Sequence, residues 1–366
     1  MQITISRNVL AEALAELTPL AGKNKVLPIL NNIKFVTKGN KIRLQTSDGE
    51  TTIRKYVESE SIDQDGEFLV DCASLNAFVS KVNSNTLNLI LDGTTLTVKH
   101  AKGKAEFQTS SAADFVEPKQ AEEMTEATIP TDILAKFISI ARSFVGDDDL
   151  RPQLKPIRAI ISDGKFTVCA TDTRKMFVDT KAIDGENPDM EWYIEPVAFS
   201  SIVKACKGQE TAVIKVSERN VSYRVGATTI FTLQTKGNYP QFKRVIPQNH
   251  TVDVVCDKSD IVEAMQRAML FAPDSRLIKV SVSALAMDIQ ADNITKLQKS
   301  VETLSCTSNA ELVFGANSRF MLDCINACAS DDVTMEINDA SRPIVFKDSL
   351  NPDRTVLCMP MSLVNP

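Results

Sequence analysis

The aspartates at 147, 148 and 149 form a run of three carboxylates whose oxygens suit a hard divalent cation such as magnesium or calcium. A second acidic pattern, Asp63-x-Asp65-Gly66, starts like a calcium loop. In both cases the remaining ligands of such a loop do not follow, so a solvated acidic turn is the expected outcome. Cys324 and Cys328 stand four residues apart, a spacing at which two thiolates on one helix face can share a metal. No other ligand pair accompanies them, and on an apolar face cysteine behaves as a small hydrophobe. His100 and His250 are the only histidines, and neither has an evident acidic partner nearby in sequence. That leaves little room for histidine catalysis or a zinc site. The motifs G-x-x-x-x-G-K-[ST], G-x-G-x-x-G after a strand, H-E-x-x-H and G-x-S-x-G are absent. The expectation is a protein with no catalytic residues, no metal and no cofactor.

The bulk composition narrows the class. Of 366 residues, 43% are hydrophobic and 24% charged, which is ordinary for a globular chain and wrong for a disordered one. No apolar run approaches the ~20 residues that a membrane helix needs. Met1 to Leu10 has no apolar core of a secretory leader. Eight cysteines without a C-x-x-C pair fit a reducing compartment, so a cytoplasmic location is expected. The net charge of −6, taken over the whole chain, argues against a protein that coats nucleic acid.

The elements that must position any site show an internal repeat. An apolar i, i+3, i+4, i+7 pattern marks a helix face packed on a core. It occurs at Leu10, Ala13, Leu14, Leu17, returns at Leu134, Phe137, Ile138, Ala141, and again at Ile261, Ala264, Met265, Ala268. A second series runs Leu75, Phe78, Val79, Val82, then Phe199, Ile202, Val203, Cys206, then Met321, Cys324, Ile325, Cys328. The steps are 124 and 127 residues in the first series and 124 and 122 in the second. Between the helices lie alternating runs, Ile33/Phe35 with Ile42/Leu44 and Leu87/Leu89/Leu91 with Leu96/Val98, the latter turning at Asp92-Gly93. Val221/Tyr223/Val225 turn at Gly226 in the same way. Ser6, Thr131 and Asp257 are the expected N-caps of the leading helices. The polar stretches Glu117 to Thr131 and Pro247 to Thr251 read as linkers. The fold class is therefore α+β, in three tandem domains at 1–122, 123–250 and 251–366, each with two helices on antiparallel sheets. Such repetition suits a curved or closed assembly whose strand edges are joined to one another.

Several short stretches carry a resemblance. They are Leu27-Pro28-Ile29-Leu30-Asn31-Asn32, Ala112-Ala113-Asp114-Phe115, Arg151-Pro152-x-Leu154, Ala170-Thr171-Asp172-x-Arg174, Tyr239-Pro240-x-Phe242-x-Arg244-Val245-x-Pro247 and Met359-Pro360-Met361. In their order and spacing along the whole chain they resemble the bacterial DNA sliding clamps, the beta subunits of DNA polymerase III. The resemblance implies three tandem clamp domains and a ring-forming head-to-tail homodimer around duplex DNA, with the helices lining the hole. It implies a DNA polymerase processivity factor that binds by topology and holds phosphates weakly and without sequence preference.

The resemblance also implies sites. Basic residues expected to face DNA are Lys81, Lys136, Arg142, Arg151, Lys204, Lys207, Lys258 and Arg267, with Arg319 and the loop residues Lys23 and Lys25. Confining the basic residues to the inner helices removes the objection raised by the net charge. Partner peptides from the polymerase catalytic subunit, the clamp loader and repair proteins, often carrying Gln and a Leu-Phe pair, would enter an apolar pocket. Its expected lining is Leu154, Thr171, Thr173, Arg174, Met176, Pro240, Arg244, Val245, Pro343, Leu357, Met359, Pro360 and Met361. Phe107 and the pair Leu270-Phe271 match the dimer contact. The chain departs from the family at Cys72-Ala73-Ser74, Asp148, Pro156, Thr173 and Lys175, and in its three last residues, Val364-Asn365-Pro366. Thr173 and Lys175 replace a common Gly and Arg, which is expected to shift peptide preference.

Overall fold

Alternating residues make the hairpins. In the strands Asn32–Lys38 and Lys41–Ser47, Lys38 pairs with Lys41 across a two-residue turn in which Gly39 takes a positive φ of 60°. Ile33, Phe35, Ile42 and Leu44 all fall on the buried side. Asp92 and Thr95 close a second such turn, with Gly93 at φ 56°, and Val225 and Thr228 a third, with Gly226 at φ 54°. The computed structural model describes residues 1–22, 27–118, 123–235, 237–272 and 274–363. Lys23 and Lys25 therefore lie outside the described residues, as do Val364-Asn365-Pro366.

Among the described residues there are six α-helices: α1 (Arg7–Leu17), α2 (Cys72–Lys81), α3 (Thr131–Ala141), α4 (Pro196–Ala205), α5 (Lys258–Met269) and α6 (Ser318–Ala327). They match the six apolar patterns. Leu10, Ala13, Leu14 and Leu17 are fully buried, and so are Leu134, Ile138 and Ala141. Burying a side chain such as leucine stabilises by about 1.5–3 kcal/mol, so these faces hold each helix on its sheet. Phe78 and Val203 are only half-buried. The Phe78 ring sits edge-on to Phe107 at 5.8 Å and to His100 at 6.0 Å. No helix is long and apolar enough to cross a membrane among the described residues.

The caps depart from expectation in two places. Asp257 caps α5 by accepting the amide of Asp260 at 3.0 Å. Ser6 precedes α1 but makes no capping bond, because a strand, Gln2–Ser6, runs straight into the helix. Thr131 is the first residue of α3, and its hydroxyl donates to the carbonyl of Gln209 instead. Asp71 and Asn317, favoured cap residue types not picked out from the sequence, cap α2 and α6.

The chain divides into two compact units, residues 1–136 with 185–234, and residues 137–184 with 235–366. In the first, thirteen strands succeed one another through hydrogen bonds. One junction in that succession joins Thr51–Glu58 to Thr228–Leu233, antiparallel, with Thr52 opposite Phe231. α1 packs on the first of these strands and α4 on the second. In the second unit, Lys175–Ala182 pairs antiparallel with Thr355–Cys358, Met176 opposite Leu357. There α5 packs on α6, and α6 on both strands of that junction. The acidic stretch from Glu117 to Thr131 is less of a linker than expected. Thr125–Pro130 is a strand paired with Thr211–Val216, because Ala127 and Ile129 alternate into the core.

Candidate peptide and DNA surfaces

A largely apolar pocket lies in the second unit. It holds about 160 Å³ and is lined by Thr171, Thr173, Lys175, Met176, Pro240, Phe242, Val245, Pro343, Leu357 and Met359. Eight of these were expected. Beneath it, Met176, Phe242 and Leu357 pack with Cys169, Val178 and Val345. Tyr239 donates its hydroxyl to the Cys169 carbonyl at 3.1 Å, and the Arg158 guanidinium lies 5.6 Å from the Tyr239 ring. At the pocket wall, the Met359 amide donates to the Arg174 carbonyl at 2.7 Å. Val245 remains 54% exposed, leaving an apolar surface open to a ligand.

A tight turn shapes the mouth. The Asp172 carboxylate accepts the amides of Arg174 and Lys175, each at 2.8 Å, and the Thr171 hydroxyl donates to the Lys175 carbonyl at 2.8 Å. Thr173 is thereby held at φ 78°, a region costly for a β-branched residue. Its hydroxyl accepts Arg151 Nη1 at 3.3 Å, and Arg151 Nε in turn donates to Asp148 at 3.2 Å.

The other expected lining residues stand around the pocket. Leu154 and Arg174 border an adjoining cavity of about 650 Å³, which also takes in Arg142, Arg151, Asp172 and Phe320. Thr173 and Lys175 are common to both spaces. Arg244 is exposed at the end of the short helix Phe242–Arg244. Pro360 is half-buried, and the Met361 amide donates to the Gly315 carbonyl at 2.7 Å. Two lining residues stand outside the expected set, although Lys175 had been expected to shift peptide preference. Phe242 was legible in the motif around Pro240 but was not assigned to the lining. Lys175 is buried, with Nζ 2.6 Å from Asp323 of α6 and over the rings of Phe144 and Phe320. Its partner lies 148 residues away, beyond any local pattern.

Of the basic residues expected to face DNA, Lys81, Lys136, Arg142, Arg151, Lys204 and Lys207 are exposed. Two more are tied to the protein itself: Lys258 donates to the Cys328 carbonyl, and Arg267 bonds Glu302 at 2.8 Å and Glu263 at 3.4 Å. Arg319 pairs with Asp323 at 3.2 Å. Of the dimer candidates, Leu270 is 78% exposed beyond the end of α5, Phe271 is half-buried, and Phe107 lies half-buried in the strand Gly103–Ser110. The first part of that strand is paired on one side only among the described residues. So is Gln298–Ser305.

Several of the acidic, cysteine and histidine side chains considered as metal ligands have protein partners. Asp148 accepts the Leu150 amide at 2.9 Å and Arg151, and Asp149 pairs with Lys155, which holds its carboxyl below the usual range. The Cys328 thiol donates to the Cys324 carbonyl at 3.6 Å, and burial pushes its pKa up to about 11. His250 does have acidic partners, contrary to expectation. Its Nε2 lies 3.1 Å from Asp253 and its Nδ1 3.6 Å from Glu336, whose carboxylate also faces Lys347 at 3.8 Å. Asp253 is three residues along in sequence, while Glu336 arrives through the pairing of Val252–Asp257 with Asp332–Ile337.

Comparison with known proteins places this arrangement. Residues 1–117 match the model of the DNA polymerase III beta subunit N-terminal domain, and residues 243–362 that of its C-terminal domain. Together these cover more than half of the chain. The beta sliding clamp of Bacillus subtilis is 23% identical, covering 95% of this chain and 96% of its own length. That of Pseudomonas putida is 21% identical over 99% and 100%. Among solved structures, a Pseudomonas aeruginosa sliding clamp bound to griselimycin superposes with a TM-score of 0.94 at 20% identity, over 99% of this chain and all of that one. The Thermotoga maritima beta subunit gives 0.92 at 18% identity, with the same coverage. The chain belongs to the DNA polymerase III beta subunit family, the beta sliding clamps.

Proposed function

We propose that two copies of this chain join head to tail into a closed ring around duplex DNA. The ring tethers the polymerase catalytic subunit, the clamp loader and other partners through peptides, as a non-enzymatic processivity factor of the cytoplasm. Each copy contributes three domains, 1–122, 123–250 and 251–366. The observation that carries this reading is the end-to-end correspondence with beta sliding clamps, whose full length the chain spans. The first part of Gly103–Ser110 and the strand Gln298–Ser305, each paired on one side only among the described residues and near Phe107 and Leu270-Phe271, are the edges that such a contact would join. The exposed Lys81, Lys136, Arg142, Arg151, Lys204 and Lys207 supply weak attraction to phosphates, which suits sliding.

The pocket lined by Met176, Leu357 and Met359 receives the peptide. Methionine adapts to varied shapes, which fits a site with several partners. Two or three buried apolar side chains at about 1.5–3 kcal/mol each support roughly micromolar binding, so partners can exchange.

The test is topological. The protein is loaded on nicked circular DNA, and the circle is then cut. Retention on the circle and release on linearisation are expected. Protein that stays bound to the linear product overturns the ring.

A further inference from the structure

The internal repeat that builds the pocket of the second unit also builds a pocket in the first. Gly49, Thr52, Val116 and Leu233 line a cavity of about 220 Å³ in the first unit. Each stands 124 residues before a lining residue of the other pocket: Thr173, Met176, Pro240 and Leu357 respectively. The offset is the repeat step already read from the helices. Both pockets therefore sit where a hairpin of one repeat meets a strand of the next, beside the loop that leaves the sheet.

The two differ in ways that bear on what they hold. Gly49, at φ 101°, replaces Thr173, so no side chain narrows that part of the mouth. The charge also differs. Among the described residues lining the second unit's pocket, the only charged side chain is Lys175. The first unit's cavity is lined by two carboxylates, Glu50 and Glu117, and by no Lys or Arg among the described residues. Glu117 is already matched by Lys34 at 3.1 Å, by Arg43 at 3.6 Å and by Arg54. Glu50 is exposed and makes no ion pair among the described residues. Among the described residues, a largely apolar cavity with an unpaired carboxylate at its rim is complementary to an apolar segment that carries a cation.

We infer that the first unit's cavity is a second peptide site, taking a short extended segment with apolar anchors next to a Lys or Arg. The inference takes from the proposed function only the class of ligand, a partner peptide. Two fluorescent peptides test it on the full-length protein, both with a Leu-Phe pair, one flanked by lysines and one by glutamates. Glu50→Lys and Leu233→Lys alter the first site at exposed positions, Leu233 being 49% exposed. Met359→Lys alters the second. In the Met359→Lys background, which removes binding at the second unit's pocket, the lysine-flanked peptide is expected to keep binding, and to bind about tenfold or more weakly once Glu50→Lys or Leu233→Lys is added. A lysine-flanked peptide that does not bind, or whose binding responds to Met359→Lys alone, overturns the second site. A glutamate-flanked peptide that ignores Met359→Lys overturns instead the peptide role of the second unit's pocket, and leaves the first site standing on its own variants.

Discussion

Thr173 carries local strain at the pocket mouth. A β-branched residue at φ 78° costs about 1–2 kcal/mol relative to glycine. Thr173→Gly is expected to raise stability by about 1 kcal/mol in urea unfolding, after glycine's own entropic cost. It also removes the acceptor that Arg151 uses, so peptide affinity should change while the fold does not. Glu117 gives a pH dependence. Burial alone would raise its pKa, but Lys34, Arg54 and Arg43 bring it below the usual carboxylate range. Its contribution is therefore complete at neutral pH. It is lost as pH falls from the unfolded value of about 4.3 through the lower folded value. Glu117→Gln should flatten the acid limb of Tm against pH, with little change in that slope above pH 6. The thiols give a third expectation. Burial pushes Cys72 and Cys206 up to about 11 and Cys169 and Cys256 up to about 12. A thiol reagent at neutral pH should label the folded protein slowly and the denatured chain fast.

At the scale of elements, buried charge fastens α6 to the sheet below it. Lys175 and Asp323 pair at 2.6 Å with side chains 8% exposed. Arg354, 1% exposed, bonds Asp179 at 2.7 Å and Asp348 at 3.1 Å, and donates to the Ala327 carbonyl at the end of α6. Removing one partner of a buried pair strands the other charge, whereas replacing both is often neutral. Arg319, 3.2 Å from Asp323, still faces that carboxylate, so Lys175→Met is expected to lower unfolding free energy by less than the about 3–5 kcal/mol of a fully stranded buried charge, and Lys175→Met with Asp323→Leu by less again. Chemical denaturation of the two variants measures the difference. Because Lys175 also lines the pocket, the double variant is the one in which peptide binding can be compared on an intact fold.

At the scale of the molecule, the prediction concerns assembly. The proposed ring has a mass of twice 40.2 kDa. Leu270→Asp places a charge at an exposed apolar residue beside the proposed contact, and should shift sedimentation toward the monomer while leaving peptide binding intact. Neutralising the exposed basic residues of α2, α3 and α4 should weaken retention on circular DNA and flatten its dependence on salt, since fewer counterions are released. The two effects are separable, as one acts on ring closure and the other on the attraction inside it.

The helix faces were legible in the sequence because a core-facing helix repeats its apolar residues locally. All six appeared at the expected places, while the expected pocket lining came from the family resemblance rather than from any local pattern. What escaped were pairings between distant segments. Nothing near Thr125–Pro130 announced a partner at Thr211–Val216, so a strand read as a linker. Nothing near Lys258 indicated that a distant carbonyl would occupy it, and for Arg267 only Glu263, not Glu302, stood nearby in sequence. His250 gained Glu336 only through strand pairing across 86 residues. The sequence by itself determined the repeat, the helix faces and the family, since periodicity and motif spacing are properties of neighbouring residues. Only the tertiary structure decided which strands meet, which charges are already neutralised and where the repeat opens a second pocket, because hydrogen bonds and ion pairs depend on distance in space rather than along the chain.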